Sequence, residues 1–342
     1  MSDKQLSRVK PKPKKKKNRL RTWGIVLLVL VILGSGAYVY RKPLAIMAFD
    51  LFLSDHVEQK LQKSYAPLQG EKPKPVVYQT KPFTALLLGV DQRDNEPARS
   101  DTMIYAVIRP KDSKVLLISI PRDTYTEIVG KHKKDKINHA YAFGGEKMSK
   151  DTVEAFLGHK VEYYAAINFK GLRDVVDALG GVELPITKDI VNKAKEHEKF
   201  TIKANQPIYN GKDALNFVRY REDSDFNRTK RHQVFLNAMV SRVLKLDQVG
   251  KIPELMDIAG ANFKTDIMPN NIIDLAKQLL TGENPPQIYS FTIMGKGVRM
   301  NNIFYDLADK KDVAYAEQLI ESWSDPNTAA SQLMIPEKQA VE

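Results

Sequence analysis

Residues Trp23–Tyr40 (WGIVLLVLVILGSGAYVY) are 18 consecutive positions without a charge, and ten Lys/Arg stand before them in residues 1–21. As a helix rising about 1.5 Å per residue the run covers roughly 27 Å, close to the hydrocarbon thickness of a bilayer. Trp23 opens it and Tyr38 and Tyr40 close it, where interfacial aromatics sit. The tail holds one acid, Asp3, and only Arg41 and Lys42 lie close beyond the run. The positive-inside bias then predicts a single-pass type II protein of the cell membrane, N-terminus cytoplasmic and everything after Arg41 outside. A cleaved signal peptide is the rival reading, because Gly34–Ala37 contains small residues. The long basic region and the aromatic end favour an uncleaved anchor. A buried core helix would leave ten cations at one end unexplained.

The tail also dominates the net charge of +12, since the rest of the chain holds 43 basic and 40 acidic residues. The outer part is therefore nearly neutral, and nucleic acid is not an expected partner. Beside a span, Lys14–Lys17 suits anionic lipid headgroups better. The chain has no cysteine, which excludes disulfides, a thiolate nucleophile, Fe–S clusters, Cys-based zinc sites and a lipidated cysteine.

Five regions follow from the pattern: a basic tail (1–22), a transmembrane helix (23–40), a juxtamembrane helix and Pro/Lys-rich linker (41–82), a main domain (83–245) and a C-terminal helical extension with a polar tail (246–342). Leu44, Met47, Ala48 and Leu51 recur at helical spacing, predicting a helix over 43–64. Phe83–Val90 and Lys114–Ile120 are nearly continuous apolar runs, the mark of central strands covered on both faces. Thr102–Arg109 lies between them and joins the third run through Pro110–Ser113, short enough for a hairpin. Further strands are predicted at Val161–Ile167, Val182–Ile186 and Gln287–Ile293, and helices at 169–179, 211–219, 227–246, 250–260 and 270–281. Interleaved strands and helices predict an α/β fold, a mixed central sheet flanked by helices.

If the second strand is antiparallel to its neighbours, three charged clusters share one edge of the sheet: Asp91–Arg93, Arg99–Asp101 and Pro121–Asp123. Ligands of open α/β sheets bind beyond such strand ends. A fourth cluster spans Arg219–Gln233, where Arg228, Arg231 and His232 fall on one helical face and Asp225 is a candidate N-cap. That face near a helix N-terminus suits an anion. Guanidinium forks take phosphate oxygens bidentately, and Asp91 and Asp101 are hard oxygen ligands of the kind Mg²⁺ prefers. Surface ion pairing is the ordinary fate of any one Arg/Asp pair, but four clusters at element ends are harder to explain so. Apolar stretches Val175–Leu179 and Phe235–Val243 are candidate walls for a lipid chain, with ordinary core packing as the alternative.

Five blocks in order, Leu88–Asp91, Arg99–Thr102, Ser119–Thr124, Lys136–Tyr141 and Arg219–Gln233, resemble the LytR-CpsA-Psr family over about 83–245. The resemblance implies a phosphotransferase that moves a glycopolymer such as wall teichoic acid from undecaprenyl pyrophosphate to peptidoglycan. It implies that Arg122, Arg219 and Arg221 clamp the pyrophosphate, with Arg99, Arg228, Arg231 and Gln233 around it. Asp91 and Asp101 would hold Mg²⁺ (or Mn²⁺), and Asp91 is a candidate base. His139, read in a loop before a helix, would shape the pocket, whereas Gly144-Gly145 reads as a turn. Two rivals use the same arginines: a non-catalytic protein that binds prenyl phosphates or regulates wall enzymes, and a lipid pyrophosphatase with water as nucleophile.

Overall fold

The near-continuous apolar runs become central strands because helices cover both of their faces. The computed structural model describes residues 47, 49–51, 54–71, 81–91, 98–193, 199–220, 225–243, 251–281 and 286–337. The chain divides into two units, one ending at Leu51 and one starting at Phe52. The described residues of the first unit are helical. The basic tail and Trp23–Tyr40 lie outside the described residues, among which no helix is long and apolar enough to cross a membrane.

The second unit begins with α1 (Ser54–Gln62), followed by β1 (Phe83–Asp91), β2 (Arg99–Arg109), β3 (Lys114–Ile120), β4 (Tyr125–Ile128) and β5 (Lys133–Lys136). Then come α2 (His139–Leu157), β6 (Tyr163–Asn168), α3 (Phe169–Ala178), β7 (Ile190–Asn192), β8 (Phe200–Ile202), α4 (Gly211–Arg219) and α5 (Asp225–Val243). The chain continues through α6 (Ile252–Asn262), β9 (Phe263–Thr265), α7 (Pro269–Thr281), β10 (Gln287–Thr292), β11 (Gly295–Met300), β12 (Ile303–Ala308) and α8 (Lys310–Ser324). Six strands form a mixed sheet in the order β10-β3-β2-β1-β6-β9. β2 is antiparallel to β1 and β3, while β6 is parallel to β1 and β10 parallel to β3.

Period-two alternation sends Leu86, Leu88, Met103, Tyr105, Leu116 and Ile118 to one face, where Val153 and Leu157 of α2 and Leu319 and Trp323 of α8 cover them. Ile104, Ala106 and Leu117 face the other way, against Leu236 of α5. Trp323 is fully buried, donates its indole N–H to the Met334 carbonyl at 2.8 Å and meets Tyr289 edge-on. Trp323→Ala should therefore cost about 3–5 kcal/mol, read as a lower urea midpoint at unchanged slope.

Four expectations need correction. The segment 246–342 is not simply a helical extension, because its β9 and β10 are the two outer strands of the central sheet. The 41–82 segment is not only a connector, since Val57, Leu61 and Leu68 are buried and the Ala66 N–H donates to the Thr265 carbonyl at 2.7 Å. Val182–Ile186 makes a single bridge, Val182 to Tyr209, rather than a strand. Gly180 and Gly181 before it have φ of 76° and 91°, and Pro185 within it has no N–H to donate. Gly144-Gly145 does interrupt α2, with non-helical angles at both residues, and His139 is the first residue of that helix rather than part of a loop.

Candidate functional site

The strand directions bring the charged clusters to one rim. In the β1–β2 register Asp91 pairs with Arg99, and β3 runs antiparallel so that Pro121–Asp123 leave from the same edge. Parallel β6 adds Asn168, opposite Val90, and with it Phe169 at the start of α3. The register slips between Gly89, opposite Thr102, and Val90, opposite Ser100, which leaves Asp101 as the extra residue of a β-bulge. Unbroken alternation would give Asp101 the face of Met103 and Tyr105. The bulge breaks that alternation, and the Asp101 carboxylate lies 3.8 Å from Arg228 of α5, on the opposite side. Gly89 is the smallest residue at this crowded crossing; a Cβ there would stand 3.0 Å from the Thr102 Cβ.

A polar cavity opens at the rim, lined by Asp101, Arg122, Asp123, Arg228, His232 and Asp306 among others. Arg122 donates to Asp101 Oδ1 at 2.7 Å and has its Nε 3.4 Å from Asp123, which also pairs with Lys136 at 2.8 Å. Arg228, 5% exposed, donates to the Asp101 carbonyl at 3.2 Å. Guanidinium groups held by carboxylates at the mouth of a cavity are positioned to exchange those partners for phosphate oxygens, which they match in geometry.

A second, apolar cleft of about 200 Å³ adjoins it, and Thr102, Ile104, Arg228 and His232 line both. Its walls come from Leu87 and Gly89 of β1, Ala165 and Ile167 of β6, Phe169 and Leu172 of α3, Phe235 and Leu236 of α5, and Phe263 of β9. Arg219 closes α4, lines this cleft and lays its guanidinium over Phe169, 5.3 Å from the ring centre. Val175–Leu179 is not part of the wall. Val176 and Leu179 are fully buried, and Val176 packs with Val182 and Phe217 in a separate core. From the other proposed stretch only Phe235 and Leu236 reach the cleft.

Removal from water pulls the His232 pKa down to about 3, and the nearby Arg228 and Arg231 charges act in the same direction. Its Nε2 lies 3.0 Å from the Val218 carbonyl and Nδ1 3.4 Å from Thr102 Oγ1, which fits a neutral ring protonated at Nε2. The folded pKa lies below the unfolded value of about 6.5, so below that pH the unfolded chain takes a proton that the folded one refuses. This contribution to stability is complete above about pH 6.5 and is lost as pH falls toward the folded value. His232→Gln should flatten the decline of the urea midpoint between pH 7 and 4 relative to the parent chain.

Of the residues expected in the site, Asp101, Arg122 and Arg228 meet in the polar cavity and Arg219 stands in the adjoining cleft. Asp91 and Arg99 sit on the rim and line neither cavity. Arg231 turns away, donating to the Tyr220 carbonyl at 2.6 Å and stacking on the Tyr220 ring at 5.1 Å. Gln233 faces β10, donating to Thr292 Oγ1 and accepting from Ser290 Oγ, both at 3.1 Å. Arg231 and Gln233 are thus braces for the segment after α4 and for the sheet edge, not cavity walls. Arg221 lies outside the described residues. Asp123 was one of the sequence clusters, and its place here is with Arg122 and Lys136. Asp306, from β12, had no sequence signal at all, because it lies far beyond the five motif blocks.

An arginine-lined polar cleft beside an apolar one, at the rim of an α/β sheet, has the chemistry to suit an amphiphile with an anionic head. The LytR_cpsA_psr family model matches residues 51–320, and the chain belongs to that family. It is 33% identical over 288 residues to the Bacillus subtilis (strain 168) protein named polyisoprenyl-teichoic acid–peptidoglycan teichoic acid transferase TagU, covering 82% of this chain and 88% of that one. The Enterococcus faecalis (strain ATCC 700802 / V583) protein of the same name is 31% identical, covering 88% and 95% of the two chains. Among solved structures, B. subtilis TagV superposes with a TM-score of 0.62 at 28% identity, over 72% of this chain and 98% of its own. TagT bound to LIIa-WTA gives a TM-score of 0.59 at 25% identity, over 76% and 99%.

Proposed function

We propose that this protein is a membrane-anchored phosphotransferase that moves a teichoic-acid-type glycopolymer from an undecaprenyl-pyrophosphate carrier onto peptidoglycan. The observation that carries the reading is the shared wall of the two cavities, where Arg228 and His232 belong to both. A donor with an anionic head and a long apolar tail needs both compartments, side by side. The named activity of relatives that align over most of both chains supports the same substrate class. The anchor reading of Trp23–Tyr40 places the catalytic unit outside the cell membrane, with both substrates within its reach.

In this mechanism Arg122, Arg219 and Arg228 hold the pyrophosphate, the first two leaving their resting partners, Asp101 and the Phe169 ring. Arg221 joins them from the segment after α4, and Arg99 does so from the rim. The muramic acid hydroxyl attacks the phosphorus that carries the polymer. A P–O bond to the polymer's new acceptor forms, the P–O bond to undecaprenyl phosphate breaks, and the hydroxyl proton passes to Asp91 or Asp101, whichever does not hold a cation. Positioning and charge neutralisation by the arginines do most of the catalytic work in a transfer of this type. His232, kept neutral, lets the apolar tail approach the head site without adding a buried charge.

Mg²⁺ fits the donor chemistry of the rim. Asp91 and Asp101 are hard carboxylate donors, and Mg²⁺ is ordinarily held by one or two carboxylates together with substrate phosphates. No group of three His, Asp or Glu able to hold a metal occurs among the described residues, so phosphate and water oxygens would complete the shell. When bound, the ion would neutralise charge on the pyrophosphate. Mn²⁺ is the alternative with the same ligands.

The test is the full chain in phospholipid vesicles, supplied with labelled lipid-linked teichoic acid and peptidoglycan. Polymer should appear on the wall fraction, and Asp101→Asn should lower that transfer at least tenfold. Undecaprenyl phosphate released with no wall-linked product would convert the reading to a pyrophosphatase. Donor binding without any turnover in the parent chain would make it a binding protein.

A further inference from the structure

We infer that the β11–β12 ribbon is a membrane-docking element, whose tip lodges among the headgroups of an anionic bilayer. β10 runs parallel to β3, so its C-terminal end reaches the same rim as Arg122, and β11 starts three residues later. The base of the ribbon is tied to the cavity. The Asp306 N–H donates to the Asp123 carbonyl at 2.9 Å, and Thr124 bridges to Asp306. Tyr305 packs edge-on against Tyr125 with centroids 4.9 Å apart, so the base is fixed.

The tip has the opposite character. Ile303 and Phe304, beyond Tyr305 at the turn end of the ribbon, are 47% and 40% exposed. Asn301 and Asn302 turn the chain with φ of 51° and 64°, the left-handed pair of a tight two-residue hairpin, so these side chains are held out on a short stiff arm. A two-stranded ribbon open on its faces is marginal in water, and clustered exposed apolar groups mark an interaction surface. Residues 296–304 contain Lys296 and Arg299, both exposed, and no acid. At the tip, Ile303 and Phe304 have the cations of β11 beside them, while Asp306 lies farther back and is tied to Asp123; an apolar tip with adjacent cations matches a surface of anionic headgroups above acyl chains. A saccharide would stack on Phe304 but would leave the aliphatic Ile303 without a role.

Docking at this point turns the rim toward the bilayer, so a lipid-linked head enters the polar cavity while its tail leaves the membrane for the cleft. The inference rests on the membrane-anchored reading, and the test separates the two. Because the chain has no cysteine, a single spin label reports one place. Full chains labelled at Ile303→Cys, Lys111→Cys or Leu30→Cys would be reconstituted in phosphatidylglycerol-containing vesicles. Depth is read from the accessibility of each label to oxygen against a water-soluble nickel chelate. Lys111 lies at the opposite end of the sheet, between β2 and β3. The Ile303 label should read as bilayer-inserted and the Lys111 label as aqueous, and Phe304→Asp should return the Ile303 label to aqueous values. An aqueous Ile303 label in the parent background overturns the docking element, as does equal depth at Ile303 and Lys111. The Leu30 label then tells whether the anchor fails with it: bilayer-inserted Leu30 beside aqueous Ile303 removes the ribbon alone.

Discussion

Arg122→Ala is expected to reduce polymer transfer by roughly 10²–10³-fold, the loss typical of removing one preorganised donor from developing charge. The same change should lower stability by about 1–3 kcal/mol, for a separate reason. Arg122 donates at 2.7 Å to Asp101, whose side chain is only 7% exposed, and without it the carboxylate keeps Arg228 at 3.8 Å. Truncating one partner of a buried pair leaves the other charge poorly compensated. The two effects can be separated with the double variant Arg122→Ala/Asp101→Asn. Removing the stranded negative charge should recover most of the urea midpoint, because the residues are in direct contact and their effects are not additive. Transfer should stay at the level of the single variant. If the stabilised double variant transfers as well as Asp101→Asn alone, Arg122 acts only by holding the fold, and its role at the pyrophosphate is wrong.

The rim was readable in the sequence because it depends on strand direction alone. A short Pro110–Ser113 connection forces β2 and β3 antiparallel, and apolar runs on either side of charged clusters locate the strand ends. What happens within the rim was less readable. Arg228, Arg231 and His232 share a helical face, yet Arg228 reaches Asp101 while Arg231 reaches the Tyr220 carbonyl. Spacing on a helix cannot tell which long side chain will meet a neighbouring strand and which a neighbouring loop. The Asp101 bulge is also invisible, since it depends on a one-residue slip between strands eight residues apart in the chain. The outer strands β9 and β10 complete a sheet begun far earlier, and pairing over such separations leaves little trace in local pattern. Asp306 belongs to the cavity for that reason only: β10 carries the chain back to the rim, and the ribbon follows.

Filling the apolar cleft gives the other large effect. Ala165 on β6 sits in register with Leu87 of β1 and Thr265 of β9, and its small side chain is part of the cleft wall. Ala165→Phe would place a ring across a space of about 200 Å³, between Ile167, Leu172 and Leu236. Binding of a long-chain prenyl donor should fall tenfold or more, because each buried methylene contributes about 0.8 kcal/mol and several would be displaced. A donor with the same head and only two or three isoprene units should lose far less, since it does not need the full cleft. The fold should tolerate the ring better than a filled core would, at a cost of about 1–3 kcal/mol for local overpacking. Equal losses for long and short donors would mean that Ala165→Phe distorts the head site, and no loss for either would mean that the tail lies elsewhere. The comparison is sharp because the two compartments share a wall but not their chemistry. Arg122 lines the polar cavity alone, so turnover of the short donor at saturation should be unchanged by a ring placed among Ile167, Leu172 and Leu236.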